Sequence, residues 1–180
     1  MPPSAVKSLR DVIFWQYAKL ISKSAGFGIN SRAFQMERFK KLQSGEIAWS
    51  SAIREYVKER ENPGECVYCG SKTELSLEHI MPSCRGGPDC ADNAVMVCKK
   101  CNSLKGGKRL YEWFGLENKD KLPRIAEGKY LKLIYQRLDD EGLLDTNDVS
   151  ALCPNCDLAP KCPEKEKMTV YCLEGMFKKD

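Results

Sequence analysis

Two Cys-x-x-Cys pairs, Cys66/Cys69 and Cys98/Cys101, enclose the only histidine of the chain, His79. Nothing else in the sequence limits the fold so tightly. Each pair supplies half of a tetrahedral thiolate cage, and zinc held by four cysteinates has no open position for a substrate. The expected zinc is therefore a structural clamp. Between the pairs, residues 73–80 alternate apolar and polar side chains as a half-buried strand does, and residues 95–97 form a second short β-prone run. After Cys101 the chain can turn into a helix. Strand, glycine-rich loop, strand, knuckle and helix make a ββα unit that is too small to stay folded without a metal staple.

The polar side chains inside that unit include Glu78, His79, Asn93 and Asn102. They sit in Glu78-His79-Ile80-Met81-Pro82, in Gly86-Gly87 with Asn93, and in Cys98-Lys99-Lys100-Cys101-Asn102 with Lys105. Together these motifs resemble the HNH, or ββα-metal, endonucleases, in the branch stapled by a four-cysteine zinc. The resemblance covers the middle stretch only. It implies that His79 is the general base, that Glu78 and Asn102 ligate a catalytic divalent cation, and that Asn93 holds the histidine loop in place. Glu78 stands where that family more often has Asp, and Asn102 where many members have a histidine. Both keep an oxygen ligand, and an all-oxygen protein contribution suits Mg²⁺ or Mn²⁺.

Phosphodiester hydrolysis needs an activated water, charge stabilisation on the phosphorane and help for a leaving alkoxide. Histidine is the side chain suited to take a proton near neutral pH. A cation held by oxygen ligands can polarise a non-bridging oxygen and stabilise the departing 3′-oxygen. Adjacent strand residues point to opposite faces, so Glu78 and His79 share a site only if the backbone bends after Glu78. Pro82 and the glycines beyond it fit such a bend. A lone histidine reads first as a surface imidazole, and only its matched neighbours make His79 catalytic. For Asn93 and Asn102 the plainer alternatives are a turn residue and a helix N-cap.

The net charge of +4 is mild and by itself does not argue for nucleic acid. Its distribution says more. Lys99, Lys100, Lys105, Lys108 and Arg109 form the densest basic cluster, beside Asn102. Lys105 is expected to stabilise transition-state charge, and the others to position double-stranded DNA without reading its sequence. Arg85, in the loop after His79, is a further candidate for a phosphate contact. Cys84 and Cys90 share that loop, do not pair as a knuckle, and read as free thiols.

Outside the middle stretch, apolar residues recur at helical spacing from Ser4 to about Ser24, with Ser4 as N-cap. Ser31 is expected to cap a second helix, and a third is expected over residues 47–61. Residues 110–114 are expected to finish the motif helix and pack on the N-terminal helices, and residues 124–138 to form another amphipathic helix. The last thirty or so residues hold Cys153, Cys156, Cys162 and Cys172, a second four-thiolate set for which zinc is the first choice. The Cys-Pro steps at Cys153 and Cys162 also occur near iron–sulfur ligands, so a cluster is the alternative.

Ten cysteines, mostly in close pairs and without an apolar leader, read as metal ligands in a reducing cytoplasm. No run approaches the roughly 18 apolar residues of a membrane span. The expectation is an intracellular α+β protein in four parts: an N-terminal helical region (1–62), a zinc-stapled nuclease core (63–115), a helical linker (116–150) and a C-terminal four-cysteine metal module (151–180). Its expected ions are structural zinc at two sites and a catalytic Mg²⁺ or Mn²⁺. A non-enzymatic alternative keeps the zinc and the basic cluster and makes the chain a nucleic-acid-binding module.

Overall fold

The computed structural model describes residues 3–28, 31–49, 55, 64–164 and 167–177. The fold is α+β. The helices are α1 Leu9–Ser24, α2 Arg32–Gln43, α3 Lys99–Lys105, α4 Leu110–Phe114, α5 Arg124–Asp140, α6 Val149–Leu152 and α7 Val170–Glu174; the strands are β1 Leu75–His79 and β2 Ala94–Cys98. The chain groups into two compact units, Met1–Ser50 with Ile134–Met176 and Ser51–Leu133 with Phe177–Asp180. Among the described residues no helix is long and apolar enough to cross a membrane.

In the first unit α1 begins later than the expected Ser4. Its cap is Ser8, whose hydroxyl accepts from the Asp11 amide at 3.2 Å while Asp11 accepts from the Ser8 amide. This reciprocal box needs an acid or amide three residues after the cap; Ser4 is followed at that spacing by Lys7. Ser31 does precede α2, but its side chain makes no capping bond. The core here is aromatic: Phe14, Tyr17, Trp49 and Tyr135 form one ring cluster, and Trp15 meets Phe39 edge-on. The expected helix over 47–61 lies, apart from residues 47–49 and 55, outside the described residues.

The second unit contains the ββα segment. β1 and β2 pair antiparallel, with Leu75 opposite Cys98, Glu78 opposite Val95 and His79 opposite Ala94. The pleat places Glu78 on the side of the buried Val95 and Val97, and leaves Leu77 exposed on the other. The ladder runs regularly through His79, so the bend expected after Glu78 comes only after His79. α3 stops at Gly106, whose φ of 52° is easy only for glycine, and α4 is a separate helix rather than the end of the motif helix. The α4 rings of Trp113 and Phe114 pack on Tyr68, with centroids 4.8 and 6.3 Å away. Tyr111 packs on Tyr130 of α5 and donates its hydroxyl to Glu127 at 2.9 Å.

The loop from Ile80 to Asn93 joins the strands and folds back on itself. Ile80 N–H donates to the Asn93 carbonyl at 2.7 Å, and Gly87 N–H to that of Pro82 at 3.1 Å. A Cβ on Gly87 would run into the backbone carbonyl of Met81. Backbone cannot yield as a flexible side chain does, so Gly87→Ala should destabilise the chain by about 3 kcal/mol or more. Thermal unfolding checks this, and a Gly87→Ala protein as stable as wild type would contradict the loop packing.

Candidate active site and metal centre

The first knuckle, the end of β2 and the start of α3 bring Cys66, Cys69, Cys98 and Cys101 together, with all four sulfurs within 4.8 Å of one another. Cys69 and Cys98 lie 3.7 Å apart. That is the edge of a tetrahedron with metal–sulfur bonds of about 2.3 Å, so the donor set fits a four-thiolate metal site. Burial pushes the Cys66 thiol up, but backbone groups of Cys98, Cys69 and Tyr68 outweigh it and bring the thiol down to about 7. Burial pushes Cys101 up, and the surrounding thiols add to it. Four thiols this close cannot all ionise without a cation among them.

His79 ends β1 and faces the loop. Its Nε2 lies 3.1 Å from Asp89 Oδ1 and its Nδ1 3.2 Å from Ser83 Oγ. Asp89 is 98% exposed and His79 35% exposed, so the imidazole is open to a substrate. Asn93 clamps this loop from inside. Its Oδ1 accepts from Met81 N–H at 2.8 Å, while Nδ2 donates to the carbonyls of Met81 and Pro88 at 2.9 and 2.8 Å. The side chain is fully buried and every one of these bonds goes to loop backbone. Asn93 is a positioning residue in this geometry.

Behind His79, Glu78 is paired with Lys105. Lys105 Nζ donates to Glu78 Oε1 at 2.5 Å and to the His79 carbonyl at 3.0 Å, with the Lys105 side chain wholly buried and that of Glu78 7% exposed. Glu78 Oε2 is buried without a hydrogen-bond partner among the described residues. Burial raises the Glu78 carboxyl, against the pull of Lys105 and, more weakly, of the Tyr68 hydroxyl and of His79. The buried Tyr68 hydroxyl lies beside the same carboxylate, outside strict hydrogen-bond geometry but close enough for each group to shift the other; burial first, and then the Glu78 charge, hold it well above the ordinary tyrosine range. Asn102 lies three residues before Lys105 on α3 and hence on the same helix face. Its side chain is half-buried. A buried carboxylate oxygen without a hydrogen-bond partner among the described residues is the kind of donor a hard divalent cation takes.

The basic cluster divides. Lys99, Lys100 and Lys108 are exposed. Arg109 is fully buried, its Nε donating to Glu112 at 3.1 Å and Nη1 to the Phe177 carbonyl at 2.8 Å. Arg85 is largely buried against the same Glu112, at 3.7 Å. Lys105 and Arg109, expected at phosphate, therefore serve the interior, because each finds a buried carboxylate that local sequence does not reveal. Cys84 and Cys90 are exposed free thiols. Sequence reasoning missed Ser83, Asp89 and Tyr68. Tyr68 fills a spacer position of a knuckle, and nothing local marks Ser83 or Asp89 as partners of the histidine.

In the first unit, the tail thiols approach one another without gathering as the first set does. Thr169 lies between two of them: its N–H donates to Cys172 Sγ at 3.4 Å and its hydroxyl is 3.9 Å from Cys162 Sγ. Cys156 Sγ packs on Gly175, where a Cβ would collide with it. Burial raises the Cys172 thiol, helped by Cys162 and Cys153.

Three comparisons with known proteins bear on this geometry. Residues 66–111 match a family model described as HNH endonuclease. Over 88 residues the chain is 31% identical to the CRISPR-associated endonuclease Cas9 of Corynebacterium diphtheriae, a match that takes in 47% of this chain and 8% of that protein. No solved structure matches. The matched segment runs from the first thiol of the cage to Tyr111 in α4, and so includes both strands, the histidine loop and Lys105. The similarity to HNH endonucleases thus lies in residues 66–111, and the four-cysteine cluster within them is consistent with the metal-stapled branch of that family.

Proposed function

We propose that the segment hydrolyses phosphodiester bonds in double-stranded DNA, with His79 as general base and one divalent cation, Mg²⁺ or Mn²⁺, held by Glu78 and Asn102. The observation that carries this reading is the buried Oε2 of Glu78, left without a hydrogen-bond partner among the described residues on the residue next to a half-buried, oriented histidine. Zinc is the ion proposed for Cys66, Cys69, Cys98 and Cys101, as a clamp apart from the chemistry. A second zinc is proposed for Cys153, Cys156, Cys162 and Cys172, supported by the approach of Cys162 and Cys172 to Thr169 and of Cys156 to Gly175.

Asp89 accepts a hydrogen bond from Nε2–H, which assigns the proton to that nitrogen and leaves Nδ1 as the acceptor. Nδ1 faces the Ser83 hydroxyl, so an O–H group already lies where a water would deliver its proton. Asn93 keeps the loop carrying Ser83 and Asp89 folded under the imidazole. A divalent cation, when bound, supplies charge to a phosphate oxygen and to the departing 3′-oxygen. The exposed Lys99, Lys100 and Lys108 offer phosphate contacts that hold a duplex without reading bases.

His79→Ala removes water activation, which is typically worth 10²–10⁴ in rate, and leaves the thiol cage and Glu78 untouched. The variant should keep its zinc and its DNA affinity and cleave plasmid more slowly by about that factor. Cleavage at the wild-type rate would sink the assignment and favour a non-catalytic binding module. Replacing Lys99 and Lys100 together by Ala should weaken binding alike across DNA sequences. It should also flatten the plot of log affinity against log salt by about 2, close to one for each lysine removed from a phosphate. An unchanged slope would put those lysines away from the duplex.

A further inference from the structure

The two oxygens of the Glu78 carboxylate have different surroundings. Oε1 is bonded to Lys105 Nζ at 2.5 Å, and Oε2 is buried without a hydrogen-bond partner among the described residues. The same ammonium donates at 3.0 Å to the backbone carbonyl of His79. One buried cation therefore ties the side chain of one site residue to the main chain of the next. Both of these bonds point into the protein and the lysine side chain has no solvent exposure, so it has no face to offer a phosphate.

A carboxylate with both oxygens free can take a cation through one or both of them, and can turn between rotamers as it does so. At Glu78 the choice is already made. We propose that Lys105 is a positioning residue: by occupying Glu78 Oε1 and the His79 carbonyl, it leaves Oε2 alone for the divalent cation and fixes that oxygen relative to the histidine. This rests on the reading that Glu78 ligates the cation. Two effects of opposite sign follow. The ammonium repels a divalent ion beside the same carboxylate and so weakens its binding. It also prevents a two-oxygen grip that would draw the ion away from its working place, and misplacement of about 1 Å can cost on the order of 10² in rate. Lys105 thus gives up affinity for placement, a pattern that a merely structural lysine would not produce.

The test uses the zinc-loaded full chain, with Mn²⁺ binding followed by the electron paramagnetic resonance signal of the free ion and cleavage measured at saturating Mn²⁺. Lys105→Met should bind Mn²⁺ on the order of tenfold more tightly and cleave on the order of 10²-fold more slowly. Glu78→Gln should lose the site. Because an unpaired buried carboxylate can unfold a protein, Lys105→Gln, neutral but still able to donate to Oε1, is the second variant. It should bind Mn²⁺ more tightly with a smaller loss of rate. If either variant keeps its zinc and binds Mn²⁺ no more tightly than wild type, the positioning role is wrong. Loss of zinc from both would make Lys105 a folding residue and overturn it equally. The underlying reading fails separately: a wild type that binds no Mn²⁺, or a Glu78→Gln protein that binds it as well, removes the cation from Glu78 and the proposal with it.

Discussion

The four-thiolate cage is the constraint on which the rest of the site depends. A two-stranded sheet of five-residue strands is marginal alone, and beyond the buried Ile80, Met81 and Pro82 the loop joining β1 to β2 is exposed or half-buried as far as Asp92. The cage ties the knuckle before β1, the end of β2 and the first turn of α3 to one point. With those three anchored, β1 has one register against β2, and His79 and Glu78 have fixed places on it. Metal binding to such a set supplies folding free energy directly, which is how a small unit can place a half-buried imidazole and a buried carboxylate on adjacent residues.

The interior of the second unit is held by charged groups as much as by hydrocarbon. Lys105 with Glu78, Arg109 and Arg85 with Glu112, and Lys132 with Glu55 at 2.6 Å are all buried or nearly so. Buried ion pairs are weak sources of net stability, but breaking one by removing a single partner typically costs about 3–5 kcal/mol. Their effect is to fix geometry. The Lys105 and Lys132 pairs join segments distant in sequence, and Lys105 and Arg109 also take a backbone carbonyl, so they set main-chain position as well as side-chain position. This arrangement keeps Glu78 in place without a cation while leaving one of its oxygens unspent.

Much of this is legible in the residues. The thiol pairs announce the cage, alternation marks the first strand and a short β-prone run the second, each to within two residues, and Asn93 clamps the loop that its place in the motif implies. The parts that are not legible share a cause: their signals are tertiary. Ser8 rather than Ser4 caps α1 because Asp11 reciprocates. Lys105 reads as one more basic residue, yet Cys101 is its i–4 neighbour on α3 and already faces the cage. That spacing is the one available sign that the lysine turns inward, its aliphatic stem lying against the interior. Arg109 carries no such sign, since its carbonyl partner, Phe177, is 68 residues away. The pleat does separate Glu78 from His79, as adjacent strand positions require, but the backbone does not bend between them. The two are joined instead through Lys105, which no strand pattern could show.

The division of labour between two kinds of metal is the claim on which the functional reading stands. It is tested most directly by measuring bound zinc and plasmid cleavage on the same samples as EDTA is raised, followed by readdition of Mg²⁺ or Mn²⁺. A cation held by one carboxylate and one amide should exchange freely, whereas thiolate-bound zinc should not. Cleavage should then vanish while the zinc content is unchanged, and Mg²⁺ or Mn²⁺ should restore it. Cleavage that persists until zinc leaves, and that zinc alone restores, would make the cage ion the catalyst and contradict the site built here around Glu78 and His79.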